Sequence, residues 1–262
     1  MKHISIAFVL VVLTALLFMR HALVLRAGVA VANHRAADRV AAEGHRISFD
    51  VPDGWTPIIR TDMDDAWKPL GRRGLNTFIF ADTESPFASG ALREDPSSLR
   101  YQSWFGVYSV EFTSDQDIAG DEPSLISFAD GLMQNDQLRW LKTMGDPSPT
   151  AQVAKREPKG TVKVLGRDLT IYEGCMQTHS DLGNGDTKMP EILGRPREVR
   201  VLPYHPLVLE GFVVAWRDAT RKRLFVVYGN GVRFTNASGR EVRTWPLVRD
   251  ELLRIASTIR IE

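Results

Sequence analysis

Two neighbouring apolar runs, PLVLEGFVVAW (206–216) and KRLFVVYG (222–229), constrain this chain more than any other feature. Each is rich in β-branched and aromatic residues, and the polar stretch Asp218 to Arg221 that separates them is too short for anything but a tight connection. The pair therefore predicts an antiparallel hairpin. GTVKVLG (160–166) and DLTIYEGCM (168–176) repeat the arrangement, with a turn expected at Gly166-Arg167. Further strands are expected at Ile47, Phe49 and Val51, which alternate with Ser48 and Asp50, at NTFIFA (76–81), and at FGVYSVEFT (105–113) with Tyr108, Val110 and Phe112 on one face. Pro52-Asp53-Gly54 supplies a turn after the first of these, and Trp55 follows it.

Helical periodicity occurs twice in this region. Leu125, Phe128, Ala129, Leu132, Met133 and Trp140 recur at three- and four-residue spacing over Glu122 to Met144, and Gly145 with DPSP ends the run. Thr244 is placed to cap a second helix from Trp245 to Thr258, whose stripe is Val248, Leu252, Ile255, Ala256 and Ile259. Many strands joined by short turns, with helices occurring singly, predict an α+β fold: a mainly antiparallel sheet with two packed helices, forming one domain over residues 46–262. Residues 82–103 and 178–198 are expected as long loops; the second, THSDLGNGDTKMPEILGRPRE, is of a length that is uncommon unless functional or mobile.

Ahead of the domain, Ile4 to Met19 carries no charge, and at about 1.5 Å per residue it covers about 24 Å of the roughly 30 Å hydrocarbon core, a span that Arg20 extends by snorkelling. Residues 1–32 read either as a signal anchor or as a signal peptide cleaved after Ala30-Val31-Ala32. Arg20, His21 and Arg26 intervene before that cleavage site, which favours the uncleaved anchor, and residues 33–45 form a polar stalk. Lys2 ahead of the apolar run is the layout of an exported domain, so the expected location is extracytoplasmic; Arg20, Arg26, Arg35 and Arg39 support the alternative, a cytoplasm-facing domain.

The 33 basic and 32 acidic residues leave a net charge of +1, so no global field draws the chain to nucleic acid. Its single cysteine, Cys175, excludes an internal disulfide and any multi-cysteine metal site. A thiol nucleophile would need His179 or His205 as its base, but Cys175 shares an alternating face with Leu169 and Ile171, as a packed strand cysteine does. Glu173, His179, Asp181 and Asp186 are metal-type ligands in a spacing that matches neither a zinc helix nor a calcium loop. Asp62, Asp64 and Asp65 are acidic neighbours with no sign of paired acid–base work, and no Walker A loop, G-x-G-x-x-G or G-x-S-x-G occurs. Asn236-Ala237-Ser238 matches a glycosylation sequon and equally a turn. Of the six tryptophans, those at 55, 140, 216 and 245 fall at core positions. The most suggestive surface feature is Arg217, Arg221, Lys222 and Arg223, clustered at a hairpin tip with only Asp218 against them, a pattern that suits an acidic partner or lipid headgroups.

Beginning and end together resemble a family. The strand F-x-V-P-x-G-W (Phe49, Val51, Pro52, Gly54, Trp55), the meandering strands and a closing helix that runs into a short strand, LLRIASTIRI (252–261), are similar to the PsbP-like superfamily of small α/β/α sandwiches. The resemblance covers the two ends of the domain, and the longer segments at 82–103 and 178–198 depart from it. It implies structural roles for the matching residues and a binding, assembly or chaperone-type accessory function, and it carries over no catalytic residue. The expected function is therefore a membrane-anchored or exported accessory protein that binds a protein partner without a cofactor. The alternative is a small extracytoplasmic hydrolase or metal-dependent enzyme using Cys175, His179 or His205.

Overall fold

In the computed structural model the described residues are 47–52, 55–62, 74–81, 103–112, 121–143, 148–179, 188–189, 197–198, 207–235 and 239–262. The anchor or signal segment at 1–32, the stalk at 33–45, most of the two long loops, Asp64, Asp65 and the sequon at 236–238 lie outside them.

The predicted α+β architecture is present. Strands β1 (Ile47–Ser48), β2 (Trp55–Asp62), β3 (Gly74–Ala81) and β4 (Trp104–Glu111) are followed by helix α1 (Glu122–Thr143). Then come β5 (Thr150–Val153), β6 (Glu157–Val164), β7 (Arg167–His179), β8 (Lys188–Met189), β9 (Arg197–Glu198), β10 (Leu207–Asp218), β11 (Arg223–Thr235) and β12 (Glu241–Arg243). Helix α2 (Trp245–Ser257) and β13 (Arg260–Ile261) close the chain. The main sheet runs β2-β3-β4-β11-β10-β7-β5, with β6 also on β7 and β12 also on β11, and each of these pairings is antiparallel.

The long hairpin that the apolar runs predict is β10–β11, in continuous register from Val208↔Arg233 to Asp218↔Arg223. It lies at the centre of the sheet, which explains its nearly unbroken apolar run: alternate residues face opposite helices and both faces are buried. Phe212, Val214, Trp216, Phe225 and Val227 join Phe105 and Val107 of β4 in a core covered by Trp245, Val248, Leu252, Ile255, Ala256 and Ile259. Val213, Ala215, Leu224, Val226 and Tyr228 join Tyr108, Val110 and Phe112 in a second core, covered by Leu125, Ile126, Ala129, Leu132 and Met133 of α1. The described domain thus has three layers, helix on sheet on helix.

Several expectations shift in detail. The β6–β7 turn is Leu165-Gly166, one residue earlier than predicted: Val164 pairs with Arg167, and both turn residues have positive φ, 52° and 77°. That is the backbone of a two-residue hairpin loop whose twist matches its strands, and it seats a leucine where asparagine or glycine is favoured. Strand β7 continues through His179, so the segment expected as a loop from residue 178 begins inside the sheet, and β8 pairs with β9 further along it. Thr244 sits at the N-cap position of α2, yet its hydroxyl makes no cap hydrogen bond. It accepts instead from Val232 N–H at 2.9 Å, while Thr244 N–H donates to Val232 O at 2.9 Å. A cap contributes about 1 kcal/mol, whereas each fully buried apolar side chain of α2 contributes roughly 1.5–3 kcal/mol, so the helix is held by its stripe.

The chain's two ends meet. Ile47 pairs with Ile261 and Ser48 with Arg260, Phe49 packs edge-on against Phe105 at 5.0 Å, and Trp55 is buried in the same core.

Candidate functional site

At the β10–β11 tip, the four predicted cations have different surroundings. Arg223 is buried, with Nη1 3.5 Å from Ser109 Oγ. Arg217 lies over the Phe112 ring at 4.2 Å, and Arg221 is held by Asp218, whose carboxylate accepts from its backbone N–H at 3.0 Å and from its Nη1 at 2.7 Å. Burial pushes the Asp218 carboxyl up, but the hydrogen bonds from Arg221 outweigh it and bring the pKa below its ordinary value. Lys222 is exposed with φ 50°, and its carbonyl accepts from Phe112 N–H at 3.0 Å, which fixes the tip to the end of β4.

Cys175 is half-buried on β7, directly opposite Glu210 of β10. His179 is exposed on the same face, four residues along the strand, and at about 3.4 Å per residue it stands about 14 Å from Cys175, beyond hydrogen-bond reach. His205, Asp181 and Asp186 lie outside the described residues, as does the local structure that would bring them to Glu173 or His179. Among the described residues, no group of three histidine, cysteine or carboxylate side chains comes together as a metal site.

A polar seam beneath α1 has no local signal in the sequence. Arg156, on the connection between β5 and β6, is buried; its Nε donates to Asp130 at 2.5 Å and its Nη1 to Gly211 O at 3.1 Å. Its side chain lies against Gly174, the partner of Gly211 across β7–β10, where a Cβ would collide with the arginine stem. Nearby, Tyr108 O–H donates to Asp136 at 3.0 Å, and the Tyr108 ring stacks on Tyr228 at 4.8 Å. Burial raises the pKa of both carboxyls; Arg156 opposes the rise at Asp130, and the Tyr108 hydrogen bond and Arg139 oppose it at Asp136. Burial, reinforced by Asp136, also raises the Tyr108 pKa.

The other face carries a carboxylate–guanidinium cluster at the start of α2. Glu210 is buried; Arg243 Nε donates to its Oε2 at 2.5 Å, and Arg233 Nε lies 3.1 Å from its Oε1. The hydrogen bond to Glu210 raises the already high Arg243 pKa. Alongside, Arg249 Nε of α2 donates to Glu173 at 2.6 Å. Burial works against the Arg249 cation, but Glu173 and Asp250 reverse that effect and its pKa is raised. One signal for this cluster was present in the sequence: Glu210 interrupts an apolar run at a position that must face inward, and a buried carboxylate requires a cation.

No family model matches this sequence, and no curated protein matches it either.

Proposed function

We propose that this chain is a membrane-anchored or exported accessory protein that binds a protein partner and performs no catalysis of its own. Residues 4–19 are its membrane segment, and its domain lies on the extracytoplasmic side. The observation that carries this reading is the state of the chemistry-bearing side chains: Asp130 with Arg156, Tyr108 with Asp136, Glu210 with Arg243 and Glu173 with Arg249 hold strands and helices to one another. Cys175 and His179, the described members of the alternative enzyme reading, stand too far apart to act as nucleophile and base.

The test joins location and contact. A reporter fused after Glu262 reads out on the extracytoplasmic side, and crosslinking in intact membranes yields a discrete adduct. That adduct persists in Cys175→Ala, His179→Ala and His205→Ala, and it is lost on charge reversal at the β10–β11 tip by Lys222→Glu. Loss of the adduct in a cysteine or histidine variant that still folds would return the enzyme reading to first place.

A further inference from the structure

Glu210 uses only one edge of each arginine that neutralises it. Arg233 and Arg243 are direct partners across β11–β12, so their side chains stand side by side on one face of the sheet. Both approach Glu210 through Nε, and among the described residues their terminal amino groups have no partner. The side chains are 40% and 51% exposed, and Arg233 Nε itself makes no hydrogen bond. Glu210, 10% exposed at its side chain, acts as a fixed post between two forks.

Charge alone does not make this an anion site. Two guanidiniums stand against Glu210 and against Glu241, which lies two residues along β12 from Arg243 on the same face and acts on its charge, so the cluster has no local excess of positive charge. What the fold supplies is orientation. A guanidinium fork matches the paired oxygens of a carboxylate or a phosphate, and where no local charge excess offsets a dianion the singly charged carboxylate is the better fit. We propose that Arg233 and Arg243 form a docking site for a carboxylate side chain in an acidic segment of a protein partner, with Glu210 as the positioning residue. This inference rests on the binding reading above and adds to it the chemistry of the partner.

The test uses the full chain in mild detergent and a fluorescently labelled peptide of five glutamates as the probe, read by anisotropy at low ionic strength. Arg233→Lys and Arg243→Lys keep the charge but lose the fork, and each weakens binding about tenfold, the loss expected for one charge-assisted hydrogen bond. Glu210→Gln adds a net positive charge yet also weakens binding, because the forks lose their post. Where the glutamine variant fails to fold, the lysine variants decide. The inference is overturned if the lysine variants bind as tightly as the original chain, if Glu210→Gln binds more tightly, or if the peptide does not bind. Arginine-dependent binding of inorganic phosphate or phosphatidylglycerol vesicles in place of the peptide overturns it as well. If the peptide fails while the membrane crosslink remains, the docking site alone is wrong; if both fail, the binding reading falls with it.

Discussion

Replacing Arg156 with methionine is the sharpest test of how α1 is held to the sheet. The Arg156 side chain is 3% exposed and its partner Asp130 16%, so Arg156→Met removes the cation from a carboxylate that stays largely out of water. Breaking a buried pair in this way costs about 3–5 kcal/mol, and the residual water access of Asp130 puts the expected loss near the lower end, about 3 kcal/mol. At roughly 2–4 °C per kcal/mol for a domain of this size, thermal unfolding should shift down by about 6–12 °C. The double variant Arg156→Met with Asp130→Leu removes the stranded charge and should recover to within about 1 kcal/mol of the original chain. The pH dependence follows from the same geometry. Both influences that lower the Asp130 pKa come from Arg156, so in the single variant burial alone acts and the folded-state pKa rises further. A carboxyl whose folded pKa exceeds its unfolded value makes the folded state the better proton acceptor, so stability falls as pH rises through that interval. The deficit of Arg156→Met should therefore be largest at neutral pH and shrink toward the acid side, measured as melting temperature against the original chain at each pH. A deficit that is unchanged in acid, with a double variant no better than the single, would refute the electrostatic account and assign the effect to the arginine stem packed on Gly174.

Two further outcomes are expected. Asp136→Asn keeps an acceptor for Tyr108 and removes a carboxyl whose pKa is raised; at neutral pH it should leave stability equal or higher, and relative to the original chain its stability should gain less as pH falls toward about 4, because the Asp136 contribution is gone. Chemical denaturation at several pH values reads this directly, and a variant less stable at every pH contradicts it. Leu165→Asn places at φ 52° the residue that a two-residue hairpin turn favours and removes an exposed leucine, so it should stabilise by about 0.5–1 kcal/mol, seen as a raised unfolding midpoint.

Much of the fold was legible because its signals are local. The β10–β11 hairpin follows from two apolar, β-branched runs joined by a short polar stretch, and α1 and α2 follow from a period of 3.6, all within a short window. The apolar stripe of α2 is the one that the spacing predicts, and the register of its burial needs no other part of the chain. Elements whose stability comes from a partner were not legible. Strand β5 exists because β7 extends to His179, and β12 is three residues that pair with the far end of β11. Thr244 is a favoured residue type at the helix cap, yet the close approach of Val232 took its hydroxyl.

The candidate sites divide along the same line. From the sequence alone come the charge balance, the missing nucleotide and hydrolase motifs, the uncharged run at 4–19 and the basic cluster at the hairpin tip. All of these depend on which residues are neighbours along the chain. Only the tertiary structure decides that Arg223 of that cluster is buried, and that Arg156 spans Asp130 and Gly211. It also sets Arg233 and Arg243 side by side against Glu210. These depend on strand order and register, quantities set by the packing of both sheet faces at once, and hydrogen bonds and charge pairs are made wherever that packing leaves their partners.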